Sequence, residues 1–135
     1  MRKSLKRFPL VIVCAALAIV PAIALAANPK PGGRYSGRSK PILGNARHSV
    51  VIKVSSNGRR GTIRYCGDRR RRSTSAGFGL RNGRFSATKR ERRSGKRVVT
   101  FQAKGTFASR RRVTGQIVVV FKCDHAPGTF TARLR

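Results

Sequence analysis

HSVVIKVSSNGRRGTIRYC, residues 48–66, contains the pattern that decides the fold. β-Branched and aromatic residues recur at every second position, first at 50, 52 and 54 and then at 63 and 65. A period of two places alternate side chains on the same face of a β-strand. Asn57-Gly58, between the two runs, is a dipeptide that tolerates positive φ in tight turns. The stretch therefore predicts two half-buried strands joined as a hairpin.

The same alternation returns along the rest of the chain, in the segments 78–87, 99–103, 113–123 and 130–134. Asn82-Gly83 supplies a second hairpin turn. No segment offers an apolar stripe at helical spacing. Seven to eight strands with short connections predict an all-β fold, an antiparallel meander that closes as a β-sandwich or a small barrel.

Two strands carry finer signals. Gly105 interrupts the long run 97–109, and a glycine inside a strand predicts a β-bulge near that position. Val118 and Val120 add apolar side chains to the second face of the strand 112–122. That pattern predicts a central strand covered on both faces.

The beginning of the chain has the order of a secretory signal peptide. Arg2, Lys3, Lys6 and Arg7 precede an apolar run from Leu10 to Leu25, and a small-x-small site ends at Ala26. We expect cleavage after Ala26; the alternative is an uncleaved anchor. Residues 27–47 are rich in Pro and Gly and are expected to be a linker with a short first strand over 33–37. The basic β domain is then expected over 48–135, without a transmembrane segment.

Cysteine usage agrees with an exported domain. Cys14 lies in the predicted signal peptide, which leaves Cys66 and Cys123 for the domain. Two thiols in an oxidising compartment are expected to pair as a disulfide; the alternative is two free buried thiols. On the chain-entropy model, closing so long a loop contributes roughly 4 kcal/mol.

Charge is the most distinctive property, since 32 Lys and Arg face three Asp and Glu for a formal net charge of +29. Guanidinium groups bind phosphate and carboxylate oxygens in bidentate fashion. We expect a binding surface for acidic cell-envelope polymers or anionic headgroups. Its predicted residues are Arg69, Arg70, Arg71, Arg72, Arg90, Arg92, Arg93, Lys96 and Arg97. The alternative is that these arginines only reflect composition.

The meander makes the clusters converge. If successive strands alternate in direction, the connections at 67–73, 90–96 and 124–128 lie at one end of the domain, together with Cys66 and Cys123. Nucleic acid is a less favoured partner, because an export signal is present and few aromatic residues are predicted to be exposed for base stacking. The oligomeric state is not determined by the sequence.

Catalysis has few candidate residues. Asp68, Glu91 and Asp124 are the only acids, and each is expected in a basic loop where ion pairing is its role. His48 is expected to be structural. Asp124-His125 beside Cys123 suggests a nucleophile and a base, but adjacency in sequence is not a triad. We therefore expect no enzyme, no cofactor and no metal site, and keep a small-ligand barrel and a hydrolase as alternatives.

The segments Asn82–Ala87 and Thr106–Ile117, with Cys123 and Phe130-Thr131-Ala132-Arg133, resemble small exported β-domain proteins of unknown function from high-GC Gram-positive bacteria. This resemblance covers most of residues 33–135, and its motifs are strand and turn patterns. It implies an extracytoplasmic β domain with a cysteine pair, secreted or associated with the cell envelope. It implies no catalytic residue. The long arginine runs depart from the resemblance.

Overall fold

Eight β-strands make up the computed structural model, which describes residues 26–67, 73–123 and 126–135. In chain order they are β1 Arg34–Pro41, β2 Ser49–Val54, β3 Arg60–Tyr65, β4 Thr74–Gly79, β5 Arg84–Arg93, β6 Lys96–Ser109, β7 Arg112–Val120 and β8 Gly128–Leu134. Within these ranges no helix is long and apolar enough to cross a bilayer. Nearly all of the predicted signal peptide, residues 1–25, lies outside the described part of the chain.

The strands form one antiparallel sheet in the order β4-β3-β2-β1-β8-β7-β6-β5. Successive strands pair with each other except β4 and β5, and β1 pairs with β8. The sheet curls until β4 meets β5 without a hydrogen-bonded ladder, where the Phe78 and Phe85 rings stack at 4.1 Å between centroids. The predicted all-β meander is confirmed, and it closes as a nearly complete barrel.

The first strand lies within the segment 27–47 and is longer than the short strand expected there over 33–37. β1 spans Arg34–Pro41 and pairs on both sides, with β2 and with β8. Its Tyr35 and Ser39 face the interior and are buried. A Cβ at Gly37 would collide with the backbone of Thr131, so this glycine allows β1 and β8 to lie close together. Gly37 and Pro41 therefore belong to a strand at the centre of the sheet, while the other prolines and glycines of this segment lie before or after it.

The interior is filled with alternating side chains from all eight strands. The largest fully buried side chains are Tyr35, Tyr65, Phe101, Phe107, Ile52, Ile63, Ile117, Val50 and Val113. The Tyr35 hydroxyl donates to the carbonyl of Arg110, and the Tyr65 hydroxyl donates to the carbonyl of Ala126 at 3.0 Å. Arg110 and Ala126 lie in connections at opposite ends of the barrel. Each end therefore has one connection that is hydrogen-bonded to a buried tyrosine.

Irregularities in the long strand β6 flank Gly105. Pairing with β7 shifts between Gln102 and Ala103 and again after Phe107, while Gly105 itself pairs regularly with Phe85 and Gly115. The predicted bulge at this glycine is therefore displaced by a few residues. A Cβ at Gly105 would overlap the Phe85 ring, so a glycine at this position leaves room for that ring.

Strand β7 is covered on one face, which corrects the prediction of a doubly covered strand. Ala103 pairs with Ile117 and Gln102 with Val119, so Val118 is the extra residue of a bulge. The bulge changes the alternation, and Ile117 and Val120 both face the interior. Val118 and Phe121 are about two-fifths exposed.

Candidate functional site

The ends of eight strands and the described residues between them share one end of the barrel, which we call the loop pole: residues 42–48, 66–67 with 73, 94–95, and 121–123 with 126–127. They meet there because every second turn of an up-and-down meander returns to the same end. Cys66 and Cys123 form a disulfide across this end, with 6.1 Å between their Cα atoms. The backbone nitrogen of Ile42 donates to the carbonyl of Pro127 at 3.2 Å. The strand ends that border these connections and the cysteine pair therefore meet at one end, as the meander predicts.

A projecting hairpin carries the second arginine cluster. β5 and β6 are the longest strands, and they turn at Ser94-Gly95 with φ of 52° and 76°. Two successive residues at positive φ make the tight turn that matches strand twist. The cluster 90–97, expected in a loop, consequently lies on paired strands on both sides of the turn. We call residues 89–98 the tip hairpin.

The tip hairpin has two faces of different composition. Alternation along β5 places Lys89, Glu91 and Arg93 on one face and Arg90 and Arg92 on the other. On the first face the Glu91 carboxylate lies 3.6 Å from the Lys89 Nζ and 4.0 Å from an Arg93 nitrogen. Glu91 is the one acidic residue in the described ranges, so the opposite face has no carboxylate partner there.

Like charges lie directly opposite each other in this hairpin. Arg92 pairs with Arg97 and Arg93 pairs with Lys96 in the antiparallel register. Directly opposed residues share a face with their Cβ atoms about 4.5–5.5 Å apart, and like charges at that spacing destabilise the pair. An anion bound between the guanidinium groups would remove this repulsion. The register therefore brings cationic side chains together on each face of the tip hairpin.

A ring at the loop pole contacts the tip hairpin. The Arg93 guanidinium carbon lies 5.4 Å from the centroid of the Phe121 ring, within cation–π distance. Phe121 follows β7, and its backbone nitrogen donates to the carbonyl of Thr100 in β6. This contact orients the end of the hairpin relative to the rim of the barrel.

The first arginine cluster, residues 69–72, lies outside the described residues, as do Asp68, Asp124 and His125. Gly67 and Ser73 are described on either side of residues 68–72. The strands leading to them, β3 and β4, end and begin at the loop pole. The expected approach of residues 69–72 to the tip hairpin stays a prediction.

The candidate catalytic groups have structural contacts. Cys123 is bonded to Cys66. His48 is buried, and its ring packs edge-on against Tyr65 with 5.6 Å between centroids. In the described part of the chain, no group of three or more His, Cys, Asp or Glu side chains could hold a metal ion.

Grooves on the outer surface were not predicted from the sequence. One, of about 340 Å³, crosses β1 to β4 and is lined by Arg34, Lys53 and Arg64 together with hydroxyl side chains. Another, of about 470 Å³, lies at the pole opposite the loop pole and is lined by Arg111, Arg112 and Arg133 among others. Alternation shows that such residues face outward, but only the strand order brings them together.

No family model, curated protein or solved structure matches this chain. The resemblance to small exported β-domain proteins of high-GC Gram-positive bacteria therefore stays a prediction.

Proposed function

We propose that this protein is an exported, non-enzymatic β domain that binds acidic cell-envelope polymers through the arginines of its loop pole. The single observation that carries the proposal is the tip hairpin, where Arg92 lies directly opposite Arg97 and Arg93 opposite Lys96. A phosphate or carboxylate group can accept hydrogen bonds from two such side chains at once. Arg69 to Arg72 join the same surface in this proposal.

Charge and rigidity support polymer binding. A protein of formal net charge +29 attracts polyanions over a distance comparable to the Debye length. The tip hairpin is the outer end of the β5–β6 ladder, which contains ten residue pairs from Arg84 with Thr106 to Arg93 with Lys96 and one register shift between Lys89 and Arg90. A preorganised set of cations loses less side-chain entropy on binding than the same cations on a loose loop.

The disulfide and the predicted signal peptide together support export. A cysteine pair is retained as a disulfide in oxidising compartments, and Cys66 and Cys123 are within bonding distance. Secretion or association with the cell envelope follows from these two features as part of the proposal.

The alternatives have less support. A small-ligand barrel needs interior space, and the interior positions of β1 to β8 are occupied by packed aromatic and aliphatic side chains. A hydrolase would need reactive groups facing a common cleft, whereas Cys123 is bonded to Cys66 and His48 is buried against Tyr65. Neither alternative has an observation in its favour comparable to the opposed arginines.

The test is binding to a soluble polyanion, inorganic polyphosphate, at several salt concentrations. The Arg92→Ser/Arg97→Ser variant should bind about tenfold more weakly and with a smaller salt slope, because two charge-assisted contacts are lost. Arg59→Ser/Arg81→Ser is the matched control, since it removes two exposed arginines at the opposite pole. If both variants weaken binding equally, net charge alone accounts for the binding and the tip hairpin is not the site. Binding that does not depend on salt would contradict the proposal.

A further inference from the structure

Large apolar side chains are exposed at and beside the loop pole. Among the described residues four are exposed: Ile42 and Leu43 in the connection 42–48, Val118 near the end of β7, and Phe121 just after it. Ile42 is 73% exposed and Leu43 is 87% exposed. Since β1 ends and β7 ends at this pole, the exposed apolar surface and the tip hairpin lie toward the same end of the barrel.

The connection 42–48, which we call the apolar loop, is held at its base and open at its apex. Its first backbone nitrogen, that of Ile42, is bonded to the carbonyl of Pro127, and Gly44 adopts φ of +83°. Lys40 before the loop and Arg47 within it are exposed. A solvent-exposed pair of large aliphatic residues flanked by cations is unfavourable in water alone and suits a surface that is both anionic and apolar.

The two features stand on opposite sides of one rim. β1 and β5 are four strands apart in the sheet order, so the apolar loop and the tip hairpin face each other across the open end of the barrel. A flat, extended partner can touch both at once. A soluble acidic polymer would use the cations but would leave Ile42 and Leu43 in water.

We infer that the loop pole docks on an anionic lipid bilayer. The cations of the tip hairpin would pair with headgroup phosphates, and Ile42 and Leu43 would enter the boundary between headgroups and acyl chains. For its cations this inference rests on the proposed function, and it adds a specific partner and a second group of residues. Both contacts lie at the same end of the barrel, so one membrane surface can reach them together.

The test uses residues 27–135, which contain every strand and the whole described core, so that the apolar segment before them does not itself bind lipid. The probes are vesicles of phosphatidylglycerol and phosphatidylcholine in equal parts, vesicles of phosphatidylcholine alone, and soluble polyphosphate. Ile42→Ser/Leu43→Ser should lower partitioning onto the anionic vesicles about tenfold by removing apolar contact, and should leave polyphosphate binding unchanged. Ile42→Leu/Leu43→Ile is the matched control and should retain vesicle binding.

A fluorescent reporter makes the test direct, because the chain contains no tryptophan. Leu43→Trp should give an emission that shifts to the blue with anionic vesicles and is quenched by lipids carrying a quencher at shallow acyl positions. An unchanged emission, equal vesicle binding by the serine variant, or equal binding to both vesicle types would overturn the inference. An absence of binding to both vesicle types would overturn it as well and would leave a protein partner as the alternative occupant. A failure of the proposed function would give a different result, namely polyphosphate binding that is unchanged in Arg92→Ser/Arg97→Ser.

Discussion

Three phenylalanine rings inside this barrel occupy the space that directly opposed glycines leave free. In each case the glycine and the ring are partners in the strand register, and a Cβ on the glycine would overlap the ring. The three pairs are Gly61 with Phe78, Gly105 with Phe85, and Gly115 with Phe130. A ring laid over a glycine shields the backbone and recovers packing that the missing side chain does not supply. Glycines that look like interruptions in the sequence are therefore part of the core.

Gly105→Ala should destabilise the barrel by about 1–3 kcal/mol, because Phe85 must move from its stacked position on Phe78. Gly79→Ala in β4 is the control, since nothing lies within 4 Å of a Cβ at that position and its φ is not positive. It should change stability by no more than about 0.5 kcal/mol. Urea unfolding of the two variants measures both values. A similar loss of unfolding free energy in both variants would show that the Phe85 ring does not require a glycine at position 105.

At the scale of strands and turns, the sequence predicted what depends on local pattern. Asn82-Gly83 was predicted as a tight hairpin turn and has φ of 52° and 70°, both positive. The alternation around Val50 and Ile63 predicted which side chains are buried in β2 and β3. A β-bulge cannot be found from alternation alone, because the change of register at Val118 depends on how β6 and β7 pair.

The candidate site was predicted in composition but not in geometry. The arginines at 90–97 were identified from the sequence, yet their placement on paired strands depends on the turn at Ser94-Gly95. The opposition of Arg92 and Arg97 is a property of register, which the sequence of one strand does not contain. Ile42 and Leu43 were overlooked because they lie in a segment whose prolines and glycines indicated a linker.

The contact between β4 and β5 is the element on which closure depends. The two strands share a single bridge at the turn, Arg81 with Arg84, and then continue without ladder hydrogen bonds. Packing of Phe78 on Phe85 holds the edges together, with ring centroids 4.1 Å apart. An edge closed by side chains opens more readily than one closed by a hydrogen-bonded ladder.

Phe78→Ala should therefore separate β4 from β5. We expect a loss of about 3–5 kcal/mol in unfolding free energy, since the buried Phe78 ring and its stacking contact with Phe85 are both lost. Amide hydrogen exchange should accelerate most in β4 and β5 and least in β1 and β8, which are paired on both sides. Phe121→Ala removes an exposed ring and should affect exchange far less. Uniform acceleration in all strands would contradict closure by this stacked pair.

At the scale of the whole molecule, a disulfide and hydrogen bonds oppose the electrostatic repulsion at the loop pole. The disulfide joins the end of β3 to the segment after β7, which are four strands apart in the sheet, so it spans the open loop pole. Tyr65 adds a second link at that end through Ser39 and Ala126. These links lie at the same end as the opposed cations of the tip hairpin, and they hold that end together against the repulsion.

Salt should consequently stabilise the fold while it weakens polyanion binding. Between about 0.01 and 1 M NaCl the Debye length falls from roughly 30 to 3 Å, so repulsion among the exposed cations is screened. If screening removes about 1 kcal/mol of repulsion, the unfolding midpoint rises by about 4–8 °C. Arg92→Ser/Arg97→Ser should raise the midpoint at low salt and approach the unmodified protein at high salt, because it removes one opposed pair. Calorimetry measures both effects, and a midpoint that is independent of salt would show that the charges at the loop pole do not repel strongly enough to favour a bound anion.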